Sequence, residues 1–433
     1  TNKNEYKTHN LNSLALILIF VANAISGIAQ GMSMIAIPWH FSQNGDMTRF
    51  GVVYGISSLI SLFWVPYSGT LVDRFNRKHI FLVLTGISGA FVLSVASWGI
   101  NQGTLSWWWI ASVFLVTFSI YNIHFPNLYA FMQEITERKY YDKISSYLEV
   151  FNQLATALAG AFAALLLTGV DLGQSPFLGL PFKSPIQINA WSIQEIFLMD
   201  GITYIISFLI ISRIRFTSLT TRSTENDKLW TRIKTGWNWL QEHKKVFQFG
   251  VSYYILFGTV MLVSFYLCAS YVKLHLDMEG DTYATAEMFY SIGALCAGLS
   301  IRYIFRNNKT ALNIAILTFI NASFYITLYF FESASLLFIS MVILGLTNAG
   351  TRILRVSYLF ETVPNQFYGR VNAVFFLSLL IFRSLLIAAF ALPFFQTSER
   401  FASSYLIMGA ILILACIKLI SLSPHIQMNK KQS

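Results

Sequence analysis

Charge is scarce in this sequence. Only 12% of its 433 residues are Asp, Glu, Lys or Arg, about half the ~25% usual in soluble domains. A soluble chain of this length would form two or three cores with polar surfaces between them, and the missing charge excludes that class, including a large soluble α/β enzyme. Acidic residues are scarcer than basic ones, 20 against 30, for a net charge of +10. The basic excess is distributed along the chain in a way that argues against nucleic acid as a partner. Cysteine is almost missing too. Cys268, Cys296 and Cys416 all fall inside apolar segments, so they read as small buried hydrophobes and leave no disulfide framework or metal cluster. A cleavable leader is not expected, because the N-terminus is polar and the first apolar run is long enough to span a bilayer.

What the chain has in quantity is apolar sequence of membrane-spanning length: 55% of residues are hydrophobic and the mean hydropathy is +0.56. With about 20 apolar residues needed per crossing, spans are expected near 12–41, 50–72, 79–100, 105–131, 144–169, 194–213, 246–273, 282–304, 310–331, 334–358, 370–395 and 401–422. Arg74, Arg77, Lys78, Arg138, Lys139, Lys143, Arg213, Arg215, Arg222, Arg302, Arg306, Lys309, Arg370, Lys430 and Lys431 then fall on one side. Arg49, Lys183, Lys273 and Arg400 fall on the other. By the positive-inside rule both termini are expected in the cytoplasm, which an even number of spans permits.

The connection at 214–245 divides six spans from six. Asp227 can cap a helix whose Trp230, Ile233, Trp237 and Leu240 are spaced three, four and three, an amphipathic pattern suited to the cytoplasmic headgroup layer, with docking on protein as the other reading. The expected organisation is therefore an N-terminal six-helix bundle at 1–213, a linker with an amphipathic helix at 214–245, and a C-terminal six-helix bundle at 246–433.

A short internal repeat supports this division. Glu134–Ile144 after the fourth span and Glu361–Val371 after the tenth align without a gap. Glu matches Glu, Tyr140 matches Phe367, Tyr141 matches Tyr368, Lys143 matches Arg370 and Ile144 matches Val371. Gly69–Lys78 is echoed more weakly at Gly298–Asn307, where Arg77 meets Arg306 but Asp73 meets Arg302. Two six-span halves related in this way imply an all-α membrane protein of twelve helices, its bundles related by a pseudo-twofold axis around a midplane site.

The turn Gly69-Thr70-Leu71-Val72-Asp73-Arg74-Phe75-Asn76-Arg77-Lys78 has the pattern G-x-L-x-D-R-x-x-R-K and resembles the loop-2/3 motif of the major facilitator superfamily. Met199–Ser207, Gly236–Leu240 with Lys244 and Lys245, and Phe367–Val371 are similar to the twelve-span drug efflux branch that holds macrolide and enterobactin exporters. The resemblance covers essentially the whole chain. It implies alternating access, with Gly69, Asp73, Arg74, Arg77 and Arg370 as a conformational latch in which Asp73 meets the start of span eleven. The chain departs from the branch in span five, where Gly160-Ala161-Phe162-Ala163-Ala164 lacks the proline of the antiporter motif, so antiport is less firmly implied than efflux.

Ionisable and polar groups at membrane depth are costly and mark candidate sites. The substrate-binding candidates are Asn23, Gln30, Asn122, His124, Tyr254, Asn348, Arg352 and Arg383. Asn348, Arg352 and Arg355 share one face of span ten, and Asn23, Gly27 and Gln30 one face of span one. Asn122 and His124 precede an expected break of span four at Pro126. The proton-coupling candidates are Asp200, Glu149 and Glu287, since an apolar environment favours a carboxyl group that can exchange a proton. Asp200 also reads as a brace between helix ends. A lone histidine such as His124 is more often packing than a ligand.

The expected function is a secondary active transporter, a proton-coupled exporter of amphipathic organic molecules of drug or siderophore type with an anionic group, in a bacterial inner membrane. A lipid or lysolipid flippase of the same fold and a non-transporting receptor are the other readings. Expected partners are a small-molecule substrate, membrane lipids and protons, with the chain a monomer. No cofactor or metal is expected. There is no nucleophile–base constellation and no phosphate-binding glycine loop, so neither an enzyme nor an ATP-driven pump is expected.

Overall fold

The computed structural model describes residues 2–137, 140–171, 187–219, 229–305 and 309–424. Their side chains are described from Asn12 onward, except at positions 65, 66, 69, 70, 73, 142, 143, 145, 146, 170, 171, 187, 229, 230, 232, 302, 360, 365, 366 and 399. Twelve helices among the described residues are long and apolar enough to cross a membrane. Those of the first half are Asn12–Gln43, Met47–Trp64, Arg77–Gln102, Trp107–Ile135, Tyr147–Thr168 and Ile193–Arg213. Those of the second half are Lys244–His275, Gly280–Ile301, Thr310–Phe330, Ala334–Leu359, Phe367–Phe390 and Ser403–Leu422. In chain order they are spans one to twelve. In a bilayer core nothing but the chain itself can satisfy backbone N–H and C=O groups, so long uninterrupted helices are what a sequence of this hydropathy must form.

The fourth span differs from its sequence-based expectation. The helix runs through Pro126 without a break, from Trp107 to Ile135, because proline is tolerated where neighbouring groups take up the freed carbonyl. The long loop after span five is closed at its base by a two-residue antiparallel pairing of Val170 with Ile188 and Asp171 with Gln187.

The chain forms two compact units. The first comprises Thr1–His40 and Phe63–Asn226, and the second Phe41–Leu62 and Asp227–Ser433. In the first, the third and sixth spans pack closely where Gly89 and Gly201 expose backbone to Ile205 and Leu93. Its inner core joins Phe81, Leu128, Phe131, Leu148 and Ile211. In the second unit, segment 41–62 packs through aromatic stacking: Phe41 on Phe50 at 5.4 Å, and Phe50 on Tyr266 at 6.2 Å. Spans eight and ten meet at two glycines. A Cβ on Gly293 would overlap the Val342 carbonyl, and one on Gly345 the Tyr290 carbonyl, so the helices approach as closely as small-residue interfaces allow.

Span seven is not a uniform α-helix. An α segment, Lys244–Leu262, passes into a π-helical turn at Val263–Leu267, and a second π turn comes at Tyr271–His275. Each π turn accommodates an extra residue and rotates the remainder of the helix about its axis.

The linker helix, Leu229–Glu242, docks on the second unit along a face rotated from the expected one. Gly236 lies against the Arg370 carbonyl. Trp239 and Leu240 are buried, and Trp239 stacks on His243 at 3.9 Å. Trp237 is exposed. The missing side chain at Gly236 lets the helix reach the backbone at the start of span eleven, so 236, 239 and 240 face the protein. The side chain of Trp230 lies outside those described. One cysteine also departs from expectation: Cys268 and Cys416 are buried, whereas Cys296 is exposed.

Candidate functional site

The basic turn at the start of span three is built into the first unit. Asn76 caps that helix, its Oδ1 accepting from the amides of Lys78 at 3.0 Å and His79 at 3.4 Å, which satisfies donors that any helix start leaves open. Arg77 then reaches the end of span four, donating to the Ala130 carbonyl at 2.8 Å and pairing with Glu134 at 3.0 Å. Lys78 closes the end of span six, donating to the Ser212 and Ile214 carbonyls at 2.9 and 2.8 Å. Cations at helix C-termini also complement the macrodipole. Of the expected latch residues, Arg74 is exposed and Arg370 half-buried. The side chains of Gly69 and Asp73 lie outside those described.

Deeper in the first unit, polar side chains from three spans meet. Asn23 of span one accepts at its Oδ1 from His124 Nε2 at 2.9 Å and donates from its Nδ2 to Asn152 Oδ1 of span five at 3.1 Å. His124 also packs edge-on against Phe81. Gln30 is half-buried. Asn122 turns back to donate to the Phe118 carbonyl of its own helix at 3.1 Å. Glu149 accepts from Gln153 at 3.1 Å and from Tyr129 at 3.5 Å. Asp200 is fully buried and accepts from Ser33 of span one at 2.8 Å. Ser33 and Asn152 are not among the candidates on sequence, because no motif sets them apart from the other uncharged polar residues of the spans. Their only signal is one helical turn, Ser33 lying three residues beyond Gln30.

The second unit carries cations and aromatic rings. Arg355 of span ten hydrogen-bonds the Tyr254 hydroxyl of span seven and lies over two rings, 4.5 Å from the Tyr253 centroid and 4.9 Å from that of Tyr254. Tyr254 in turn stacks on Phe375 at 5.7 Å. Arg383 of span eleven is only 4% exposed. It lies over Tyr54 at 5.3 Å, within hydrogen-bonding reach of that hydroxyl. Such cation–π contacts strengthen where water is excluded. Tyr54 is absent from the sequence candidates because it belongs to span two, which neither motif nor charge singles out. Asn348 donates to the Tyr290 hydroxyl at 2.7 Å, and Arg352 is half-buried one turn further along span ten. Glu287 is buried in span eight. Among the described residues no three His, Cys, Asp or Glu side chains converge as a metal site.

Twelve apolar helices in two compact units, with polar and cationic side chains held inside each, define a multi-pass membrane protein of the transporter class. Residues 19–386 match the family model of the Major Facilitator Superfamily, and the chain belongs to that superfamily. Over 93 residues it is 32% identical to the "Multidrug efflux pump Tap" of Mycobacterium tuberculosis and Mycobacterium bovis. That stretch spans 21% of this chain and 22% of the relative's length. Among solved structures, the nucleoside transporter NupG superposes with a TM-score of 0.69 at 11% identity, over 95% of this chain and 99% of that one. A bacterial homologue of the human lysosomal transporter Spinster gives 0.68 at 12%, over 97% and 99%. A bacterial homologue of the iron transporter ferroportin gives 0.64 at 14%, over 94% and 98%. At these identities the likeness is one of fold.

Proposed function

We propose that this chain is a secondary active exporter of amphipathic organic molecules that carry an anionic group, driven by protons. We place it in a bacterial inner membrane with both termini in the cytoplasm. The observation that carries the reading is the charge imbalance inside the second unit. Arg352, Arg355 and Arg383 stand at membrane depth, two of them set on tyrosine rings, and Glu287 is the one buried carboxyl group among the described residues of that unit. Guanidinium groups with aromatic faces suit a ligand that pairs a carboxylate or phosphate with an apolar or aromatic body. The partial match to a multidrug efflux pump supports export as the direction. Asp200, at the junction of spans one and six, supplies a carboxyl group for proton exchange in the first unit.

Thermal-shift measurements on the purified protein against drugs, siderophores and lysolipids at two pH values test this reading. Anionic amphiphiles should raise the melting temperature, and the Arg352→Ala variant should fold but lose that response and its transport. Unchanged transport by Arg352→Ala defeats the anion-binding role. Stabilisation by lysolipids alone turns the reading to a flippase.

A further inference from the structure

Around Cys268 of span seven, three other spans bring hydroxyl and carboxyl groups together. Glu287 and Tyr283 come from span eight, Tyr325 from span nine and Tyr405 from span twelve, and span seven itself adds Tyr271. All are buried, Glu287 at 7% exposure and the tyrosines at 2% or less. Cys268 lies within electrostatic reach of Glu287, Tyr283, Tyr325 and Tyr405. The Tyr405 ring lies 4.9 Å from Tyr271 and 5.8 Å from Tyr325.

Glu287 Oε1 and the Tyr405 hydroxyl are buried without a hydrogen-bond partner. No ion pair reaches Glu287 among the described residues. The adjoining stretch of span ten, Ala334–Gly345, holds no titratable side chain. Tyr271 is already engaged, donating to the Leu328 carbonyl at 2.9 Å. An ionised carboxylate in such surroundings is costly unless something from outside neutralises it. Glu287 lies seven residues into its span from Gly280, about 10 Å at 1.5 Å per residue, close enough to the helix end for exchange with water.

We infer that Glu287 is a proton-binding site of the second unit, linked through Tyr283 to the π-helical turn of span seven. The link is a shared donor. Tyr283 and Glu287 are four residues apart on one helix face. The Tyr283 hydroxyl donates to the Ser264 carbonyl at 3.2 Å, inside the π turn Val263–Leu267, and this is the arrangement we assign to protonated Glu287. When Glu287 releases its proton, the carboxylate becomes the stronger acceptor for that O–H. The Ser264 carbonyl is then left for a backbone amide, which favours regular α geometry over the π turn. Proton uptake and release at Glu287 thus change the register of the outer part of span seven. The inference rests on the proton-driven function proposed for the chain.

Its test needs no substrate, so its outcome is separable from that of the transport measurements. Infrared difference spectra of the protein in lipid nanodiscs, taken across a pH titration, report protonated carboxyl groups by their C=O stretch. We expect a protonated-carboxyl band that is lost as pH rises, is absent in Glu287→Gln, persists in Asp200→Asn and shifts in frequency in Tyr283→Phe, with the amide band of the helices changing alongside it. Circular dichroism and monodisperse elution confirm that each variant is folded. A difference spectrum identical in wild type and Glu287→Gln overturns the proposal. So does a Glu287 band that never titrates, or one that responds to sodium and not to pH.

Discussion

Arg77 and Glu134 form a pair in which one partner is almost wholly buried, with side-chain exposures of 14% and 2%. Removing one side of such a pair strands the other charge, so Arg77→Ala should destabilise the first unit by about 3 kcal/mol. Urea or SDS unfolding of the purified variant reads this, and Arg77→Met with Glu134→Leu should recover much of the loss. Asp200 behaves differently because its partner is the neutral Ser33 hydroxyl. Asp200→Asn keeps an acceptor for Ser33 and should leave the melting temperature within a few degrees of wild type. The same substitution should flatten the pH dependence of transport in everted vesicles if Asp200 exchanges protons. At this scale the sequence is legible for depth and charge but not for partners. Lys78 is readable as a cytoplasmic cation, yet the positive-inside rule places a lysine identically whether it meets headgroups or the Ser212 and Ile214 carbonyls. Cys296 cannot be told from a core residue, because lipid is as apolar as the bundle interior.

Among the elements, spans eight and ten depend on two glycines whose replacement would drive a side chain into backbone carbonyls. Gly345→Leu should therefore abolish the folded protein, seen as loss of the monodisperse peak in fluorescence-detected size exclusion, whereas substitution at Gly298, which has open space around it, should be tolerated. The π turns of span seven make a sharper prediction. Deleting one residue within 263–267 removes the extra residue and should convert that turn to α-helix while Cys268 and Tyr271 keep their places on the helix. The Glu287 infrared band should then be perturbed while the helix content stays the same. The positions and number of the spans are legible because bilayer thickness dictates their length and composition. The π turns are not, since no residue type marks them. The linker helix is legible as a helix, and Ile233 and Leu240 of its expected stripe do pack on the core, but counting only its large residues selects Trp237 where Trp239 is the one buried. Gly236 contributes by absence, and periodicity of hydrophobic side chains does not register a glycine.

For the whole molecule, the superfamily and the twelve spans follow from the chain itself, and orientation follows as a prediction from Lys and Arg placement. Reporter fusions at residues 105 and 333 should report the exterior, and fusions at 76 and 220 the cytoplasm. An inverted pattern would overturn the positive-inside assignment.

The basic turn that begins span three bears on mechanics. With Arg77 fixed to the end of span four and Lys78 to the end of span six, one short segment ties three helices at a single level. A lever transmits force only if its handle does not flex, and these ties supply that stiffness at one end of the first unit. Amide hydrogen exchange at the last turns of spans four and six should be slow for helix ends, and Lys78→Ala should accelerate it in span six alone.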